Sequence, residues 1–259
     1  MAKTFRPLRM KSSPDRFAVH RIGPYLERYF PYDAPQVRHL AINSLAARDL
    51  RARRGLEATV VPNVMDFGAP MPDTHARARI RREVRARLDL TKERRLILQP
   101  TRVVDRKGIE LAIELLARLG DARNVLVISH ESGDEGHATL ARLRAQAEAS
   151  GVDLRYAGPL FSPERSAARF ALEDAYHAAD FVTYPSLYEG FGNALIETVL
   201  HRRAALVNRY PVYVADIAPS GLRFVEIDGA VDDDAVERVA ALLDDPDARA
   251  EVAERNHAI

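Results

Sequence analysis

Two glutamates, Glu189 and Glu197, bracket a pair of glycines and an asparagine in the stretch "EGFGNALIE". Gly190 and Gly192 let backbone approach a ligand closely and adopt positive φ where a turn needs it. The segment before them, "FVTYPS", reads as a buried strand, and "NALIETVLH" after them reads as a helix. The amides of Gly192, Asn193 and Ala194 then form a first helical turn, whose unpaired N–H groups and dipole favour an anion such as phosphate. The glycine pattern alone is weak evidence. It lacks the third glycine of a dinucleotide fingerprint, no P-loop lysine follows, and a two-glycine turn is as readily structural.

The carboxylates sharpen the reading. Glu197 lies between Ile196 and Thr198 in an otherwise apolar helical run, where an ionised acid is costly without partners and a ligand hydroxyl is a natural one. Asn193 and Glu197 share a helix face at i, i+4. An anion pocket flanked by two acids suits a ligand with a diphosphate at its centre and hydroxylated rings on either side, the shape of a sugar nucleotide. The simpler alternatives are a solvated loop acid for Glu189 and, for Glu197, a helix acid paired to a neighbouring arginine.

The placing of this turn depends on the chain around it. From residue 95, strand-like runs "RLILQP", "NVLVIS", "LRYAG", "FVTYPS", "AALVNR" and "RFVEI" alternate with helical patterns "GIELAIELLARL", "GHATLARLRAQAEAS", "FALEDAYHAA" and "NALIETVLH"; two further helices close the chain. Short strands apolar on both faces, alternating with helices, predict an α/β doubly wound parallel Rossmann-like sheet. Ligands of such sheets sit at the carboxyl ends of strands, near a switch in strand order. Upstream, "HLAINS" and "ATVVPNV" read as strands around a helix ended by Gly55, and "HARARIRREVRARLDL" as an arginine-rich helix with a solvated face. Prolines 7, 14, 24, 31 and 35 break up the opening stretch.

Bulk properties remove several classes. The 259 residues carry 38 Lys+Arg against 37 Asp+Glu and no cysteine. This balance gives no reason to expect a nucleic-acid partner, and there can be no thiolate metal site, disulfide or cysteine nucleophile. No apolar run approaches the ~18 residues of a membrane span, and the basic start lacks the apolar core of a signal peptide. A cytoplasmic location is the expectation. The histidines form no ligand cluster of the H-E-x-x-H kind, and His130 and His137, flanking an acidic loop, read as surface residues.

Taken together, "EGFGNALIE" resembles the E-x7-E motif of the retaining glycosyltransferases of family 4, whose GT-B fold pairs two Rossmann domains. "LQPTRVVDRKGIELAIELLARL" is similar to that family's GR-x-x-x-x-KG segment, "LRYAGPL" to its loop at the nucleobase, and "EDAYHAADFVTYPSLYEGFG" to the approach to the motif. "AINSLAARDL" and "VVPNVMDF" resemble the end of the first domain and the linker into the second, so the resemblance covers roughly residues 38–257.

The resemblance implies roles. Arg102 and Lys107 offset the donor diphosphate and stabilise it as it leaves. Glu189 accepts hydrogen bonds from sugar hydroxyls, and the backbone at Gly190, Phe191, Gly192, Asn193 and Ala194 surrounds sugar and phosphate. Glu197 holds the ribose, and Gly158, Pro159 and Leu160 face the base. A nucleotide-diphosphate sugar of the GDP-mannose or UDP-glucose type is the implied substrate, with no cofactor and no metal, since side chains supply the cations.

The chain also departs from the pattern. Val64 stands where the linker has glycine, and "VNRYPVYVADIAPSG" replaces the Gly-Gly-x-Pro-Glu turn, bringing Asn208, Arg209 and Tyr210 to part of the sugar pocket. Enzymes that glycosylate small solutes such as glycerate derivatives have a similar variant. The expected division is a remnant of the acceptor-side domain plus linker over 1–62 and a nucleotide-sugar-binding domain over 63–259. The chain therefore reads as a truncated hexosyltransferase that binds donor weakly and transfers sugar negligibly alone, with membrane contact only peripheral and through a missing first domain. The alternatives are a non-catalytic nucleotide-sugar-binding module and a GT-B sugar-nucleotide epimerase.

Overall fold

The computed structural model describes residues 30–132 and 136–259; the opening prolines Pro7, Pro14 and Pro24 and the acidic stretch 133–135 lie outside the described residues. The chain first makes a small unit in which β1 (His39–Ala41), α1 (Ser44–Arg54) and β2 (Ala58–Val60) follow one another and the two strands pair in parallel. Gly55 ends α1 in the left-handed region at φ 68°, as the sequence suggested, while Asn43, read as part of the strand, lies beyond β1 and caps α1 by accepting from the Ala46 amide at 2.7 Å.

After the linker come α2 (Thr74–Arg87), β3 (Arg95–Gln99), α3 (Ile109–Leu119), β4 (Asn124–Ile128), α4 (His137–Ala149) and β5 (Asp153–Tyr156). A two-residue parallel pair, β6 (Phe161–Ser162) with β7 (Phe170–Ala171), leads into α5 (Leu172–Ala178), β8 (Phe181–Tyr184) and α6 (Asn193–Leu200). The chain closes with β9 (Ala205–Asn208), β10 (Val225–Ile227), α7 (Asp233–Asp244) and α8 (Pro246–His257). The long strands form one six-stranded parallel sheet in the order β10-β9-β8-β3-β4-β5. All five β4 residues are buried, as expected of a strand covered on both faces. One apolar layer packs Ile80, Val84, Tyr176, Leu195 and Val199 against the sheet; the other packs Ile109, Ile113, Leu116, Leu143 and Val239 against its opposite face.

The strand order decides where a ligand can go. From β3 the chain winds outward through β4 and β5, then crosses back to β8 on the other side of β3 and winds outward again through β9 and β10. The loops leaving β3 and β8 therefore lie side by side at neighbouring carboxyl ends, at the switch in strand order where sheets of this kind bind ligands.

One expectation changes. α2 does not present a wholly solvated face, because Arg85 is buried. Arg81 donates to the Ala178 carbonyl, and the Asp180 carboxylate pairs with both Arg81 and Arg85. The inner arginines of α2 lie over the carboxyl end of α5, whose last carbonyls need donors. The β9–β10 connection, to which the sequence reading assigns no element, makes a π-helical turn over Tyr213–Ile217 and a 3-10 turn over Ala218–Ser220.

Candidate active site

The loop after β3 carries Arg102 and ends in a 3-10 turn, Asp105–Lys107, closed by Gly108 at φ 59°. A Cβ at Gly108 would stand 2.3 Å from the Pro185 carbonyl oxygen. Glycine here lets the loop after β3 close on the loop after β8. The two loops are further joined where the Leu187 amide donates to the Arg106 carbonyl at 2.8 Å.

This contact brings Lys107 and Glu189 together as a buried ion pair, Nζ to Oε1. Arg106 Nη1 adds a second contact to Glu189 Oε2 at 2.9 Å and donates to the Tyr188 carbonyl at 3.0 Å. The Lys107 ammonium also lies 5.6 Å from the centre of the Tyr184 ring. Burial pushes the Glu189 carboxyl up, but Lys107 and the hydroxyls of Ser186 and Tyr184 outweigh it and hold the acid below its ordinary value. Burial likewise pulls the Lys107 ammonium down, further than Glu189 raises it. Glu189 is thus no solvated loop acid. Arg106, missed in the sequence, was legible only as the neighbour of Lys107 in "DRKG".

Arg102 is exposed and close enough for its charge to act on both Lys107 and His130. His130 overturns its surface reading. It stands at the carboxyl end of β4, and burial, followed by the charges of Lys107 and Arg102, lowers its pKa to about 4. Its position directly after a strand was the available signal. His137 is exposed, as read. Beyond β5, Gly158–Leu160 form a 3-10 turn in which a Cβ on Gly158 would lie 2.8 Å from the His130 carbonyl oxygen. Pro159 is exposed, whereas Leu160 packs against the apolar layer.

The glycine loop is held from three sides. The Gly190 carbonyl accepts from Asn43 Nδ2 at 2.5 Å, so the residue that caps α1 also ties α1 to this loop. The Phe191 carbonyl accepts from the Tyr210 hydroxyl at 2.9 Å. Asn193 Oδ1 accepts from Asn63 of the linker at 2.6 Å. Gly192 sits at φ 124°, and a Cβ there would come within 2.2 Å of the Tyr210 oxygen. Gly190 differs, since a Cβ there meets nothing within 4 Å; packing does not require glycine at that position, but space for a ligand would. The Gly192 carbonyl starts α6, accepting from Leu195 and Ile196, while the amides of Gly192, Asn193 and Ala194 take no acceptor among the described residues.

Glu197, half-buried on α6, accepts from the Tyr176 hydroxyl at 2.8 Å rather than from an arginine. Burial, with the Glu197 charge next, raises the Tyr176 phenol well above its usual value and keeps it a donor. The variant turn after β9 is mostly structural. Buried Asn208 donates to the Ser186 carbonyl at 3.0 Å and accepts from the Gly229 amide at 2.7 Å, stapling three post-strand loops. Tyr210 lies beneath Gly192, and Arg209 is exposed and paired with Glu226.

The carboxyl ends of β3 and β8 thus gather cations, unpartnered amides and an acid on either side of the amides. This arrangement can take a diphosphate with hydroxylated flanks. Among the described residues no group of His, Asp and Glu side chains could hold a metal, and no helix is long and apolar enough to cross a membrane.

The six-stranded parallel sheet matches the Rossmann-like domain of GT-B glycosyltransferases. WaaG, a glycosyltransferase involved in lipopolysaccharide biosynthesis, superposes with a TM-score of 0.64 at 18% identity, over 85% of this chain and 57% of its own. The Anabaena protein HepE, solved in complex with UDP-glucose, gives 0.72 at 13% identity over 95% and 64%. At these identities the likeness establishes the fold. The chain belongs to the glycosyl transferases group 1 family, whose model matches residues 80–258. It is 33% identical over 266 aligned residues to the mannosylglucosylglycerate synthase of Thermotoga maritima, covering 91% of this chain and 60% of the relative. The synthase of the same name from Petrotoga mobilis is 32% identical over 230 residues, covering 80% and 51%. The chain thus spans 60% or less of the length of these two relatives.

Proposed function

We propose that this chain carries the donor site of a retaining hexosyltransferase that moves a mannosyl group from a nucleoside-diphosphate sugar to a glucosylglycerate acceptor. The observation that carries the reading is the convergence of Lys107, Arg106 and Glu189 from two loops beside the open amides of Gly192–Ala194. The identity with two synthases of that name supports the sugar and the acceptor.

In this reading the amides and the Lys107 and Arg102 cations bind the diphosphate. As the bond from the sugar's anomeric carbon to phosphate oxygen breaks, these groups stabilise the negative charge gathering on that oxygen. The acceptor hydroxyl attacks from the face the diphosphate leaves, and its proton passes to the departing phosphate oxygen, so configuration is retained. Glu189 orients the sugar hydroxyls, with Lys107 and Arg106 fixing its position, and Glu197 holds the ribose, with Tyr176 fixing the carboxylate.

The test is calorimetric titration of GDP, UDP and their hexose conjugates into wild type, Glu197→Ala and Tyr176→Phe. Glu197→Ala should weaken nucleoside-diphosphate binding about tenfold or more, by loss of a charge-assisted hydrogen bond of about 1.5–3 kcal/mol. Tyr176→Phe, which keeps the carboxylate, should weaken it less. Unchanged binding in Glu197→Ala rejects the ribose assignment. Mannose transfer to glucosylglycerate, assayed with this chain and with a longer form matching the relatives' length, tests the reaction; glucose transfer instead would reject the mannosyl assignment.

A further inference from the structure

At the opposite, amino end of the sheet lies a second charged cavity that the donor crevice does not use. It measures about 350 Å³, and Arg77, Arg81, Arg203, Arg249, His177 and Asp180 are among its walls. An adjoining cavity of about 240 Å³ shares Arg77, Arg203, Arg249 and Asp180 and adds His201. In the first cavity four arginines surround one carboxylate, Asp180, which is already taken by Arg81 at 2.6 Å and Arg85 at 3.2 Å; Arg202 and Glu254, which also line the second, pair with each other at 3.2 Å.

Not all of this charge is explained by the protein's own needs. Arg81 caps the carboxyl end of α5, and Arg249 donates to the Leu242 and Leu243 carbonyls at 2.7 and 3.1 Å. Arg77 makes no hydrogen bond or ion pair among the described residues; Arg203 donates from Nη2 to the His177 carbonyl at 3.5 Å, while its buried Nε has no partner. The ring nitrogens of His177 are buried and unpartnered, as is Nδ1 of His201. Burial, then repulsion from Arg81 and, less strongly, Arg77 and Arg249, outweighs the attraction of Asp180 and pulls the Arg203 guanidinium down to about 10. Holding like charges together around unsatisfied donors is unfavourable unless an anion offsets them.

We propose that this cavity binds a small phosphorylated metabolite, its phosphate held chiefly by Arg77 and Arg203. Arginine forks match phosphate oxygens in pairs, and the two adjoining cavities leave room for an organic body beside the phosphate. The site lies where the chain enters β8 and β9, whereas the donor crevice lies where it leaves β3 and β8.

The experiment titrates inorganic phosphate and glucose 6-phosphate at constant ionic strength into the full chain, following the His177 and His201 imidazole resonances by NMR and the affinity by calorimetry. Saturable shifts of both histidines, with the hexose phosphate binding at least as tightly as phosphate, are expected. Arg77→Ala, at a half-buried helix position where alanine favours the helix, should weaken this binding at least tenfold while leaving the affinity for nucleoside diphosphate unchanged. Arg203→Lys provides a second variant that keeps the charge but loses the fork, and should also weaken phosphate binding. The proposal fails if phosphate leaves both histidines unmoved, if Arg77→Ala and Arg203→Lys bind it as wild type does, or if hexose phosphate is excluded.

Discussion

Replacing Gly192 by alanine should strike the site at its hinge, through two separable effects. The first is backbone strain: φ 124° with ψ 49° suits glycine alone, and a side chain held in such a region costs about 1–3 kcal/mol. The second is steric, since the new methyl would lie 2.2 Å from the Tyr210 oxygen and 3.3 Å from the ring carbon carrying it. Relieving that overlap means moving a tyrosine that is only 1% exposed, for a further ~1–3 kcal/mol, and breaking its hydrogen bond to the Phe191 carbonyl. Tyr210→Phe alone removes that bond and should cost about 1 kcal/mol. It also removes the atom with which the methyl collides. Urea denaturation of both single variants and the double variant closes a thermodynamic cycle. Gly192→Ala should lose roughly 2–6 kcal/mol, the sum of the two ranges. The double variant should be more stable than additivity predicts by about 1–3 kcal/mol, because only the steric part is rescued. Additive losses, or a Gly192→Ala loss under about 1 kcal/mol, would refute the packing of Tyr210 beneath the glycine.

Two further outcomes follow from the ionisable groups. Glu189→Gln leaves buried Lys107 without its counter-charge and should destabilise the fold by about 3–5 kcal/mol. Lys107→Met should cost less, because Arg106 still neutralises Glu189; urea denaturation giving the reverse order would sink this account. Burial lowers the histidine pKa values from 6.5 to about 4 for His177 and about 3 for His201. Between pH 6.5 and 4 the unfolded chain therefore holds more protons than the folded one, and stability falls as pH falls. At about 1.4 kcal/mol per pKa unit, the His177 contribution alone is on the order of 3 kcal/mol. His177→Gln should flatten the stability–pH curve over that window, and an unchanged slope would reject the buried-neutral assignment.

The sequence by itself determined the local elements and the chemistry on offer. Apolar runs of strand length between helical repeats specify β3–β5 and β8–β10, because a strand covered on both faces has no polar side to show. Gly190, Gly192 and the two glutamates were visible because their types conflict with the apolar segments around them. The tertiary structure decided which of these meet. Lys107 and Glu189 are 82 positions apart, and they touch because β8 returns to lie beside β3, an adjacency no local pattern encodes. The fold also places Asn43 on the Gly190 carbonyl and Tyr210 under Gly192, and it brings His130 within reach of the Lys107 and Arg102 charges. It also gathers Arg77, Arg81, Arg203 and Arg249, which in the sequence are unremarkable surface charges, around one shared carboxylate. Residue types fix what each group can do; the strand order fixes the partners each finds, because burial and electric charge act through space.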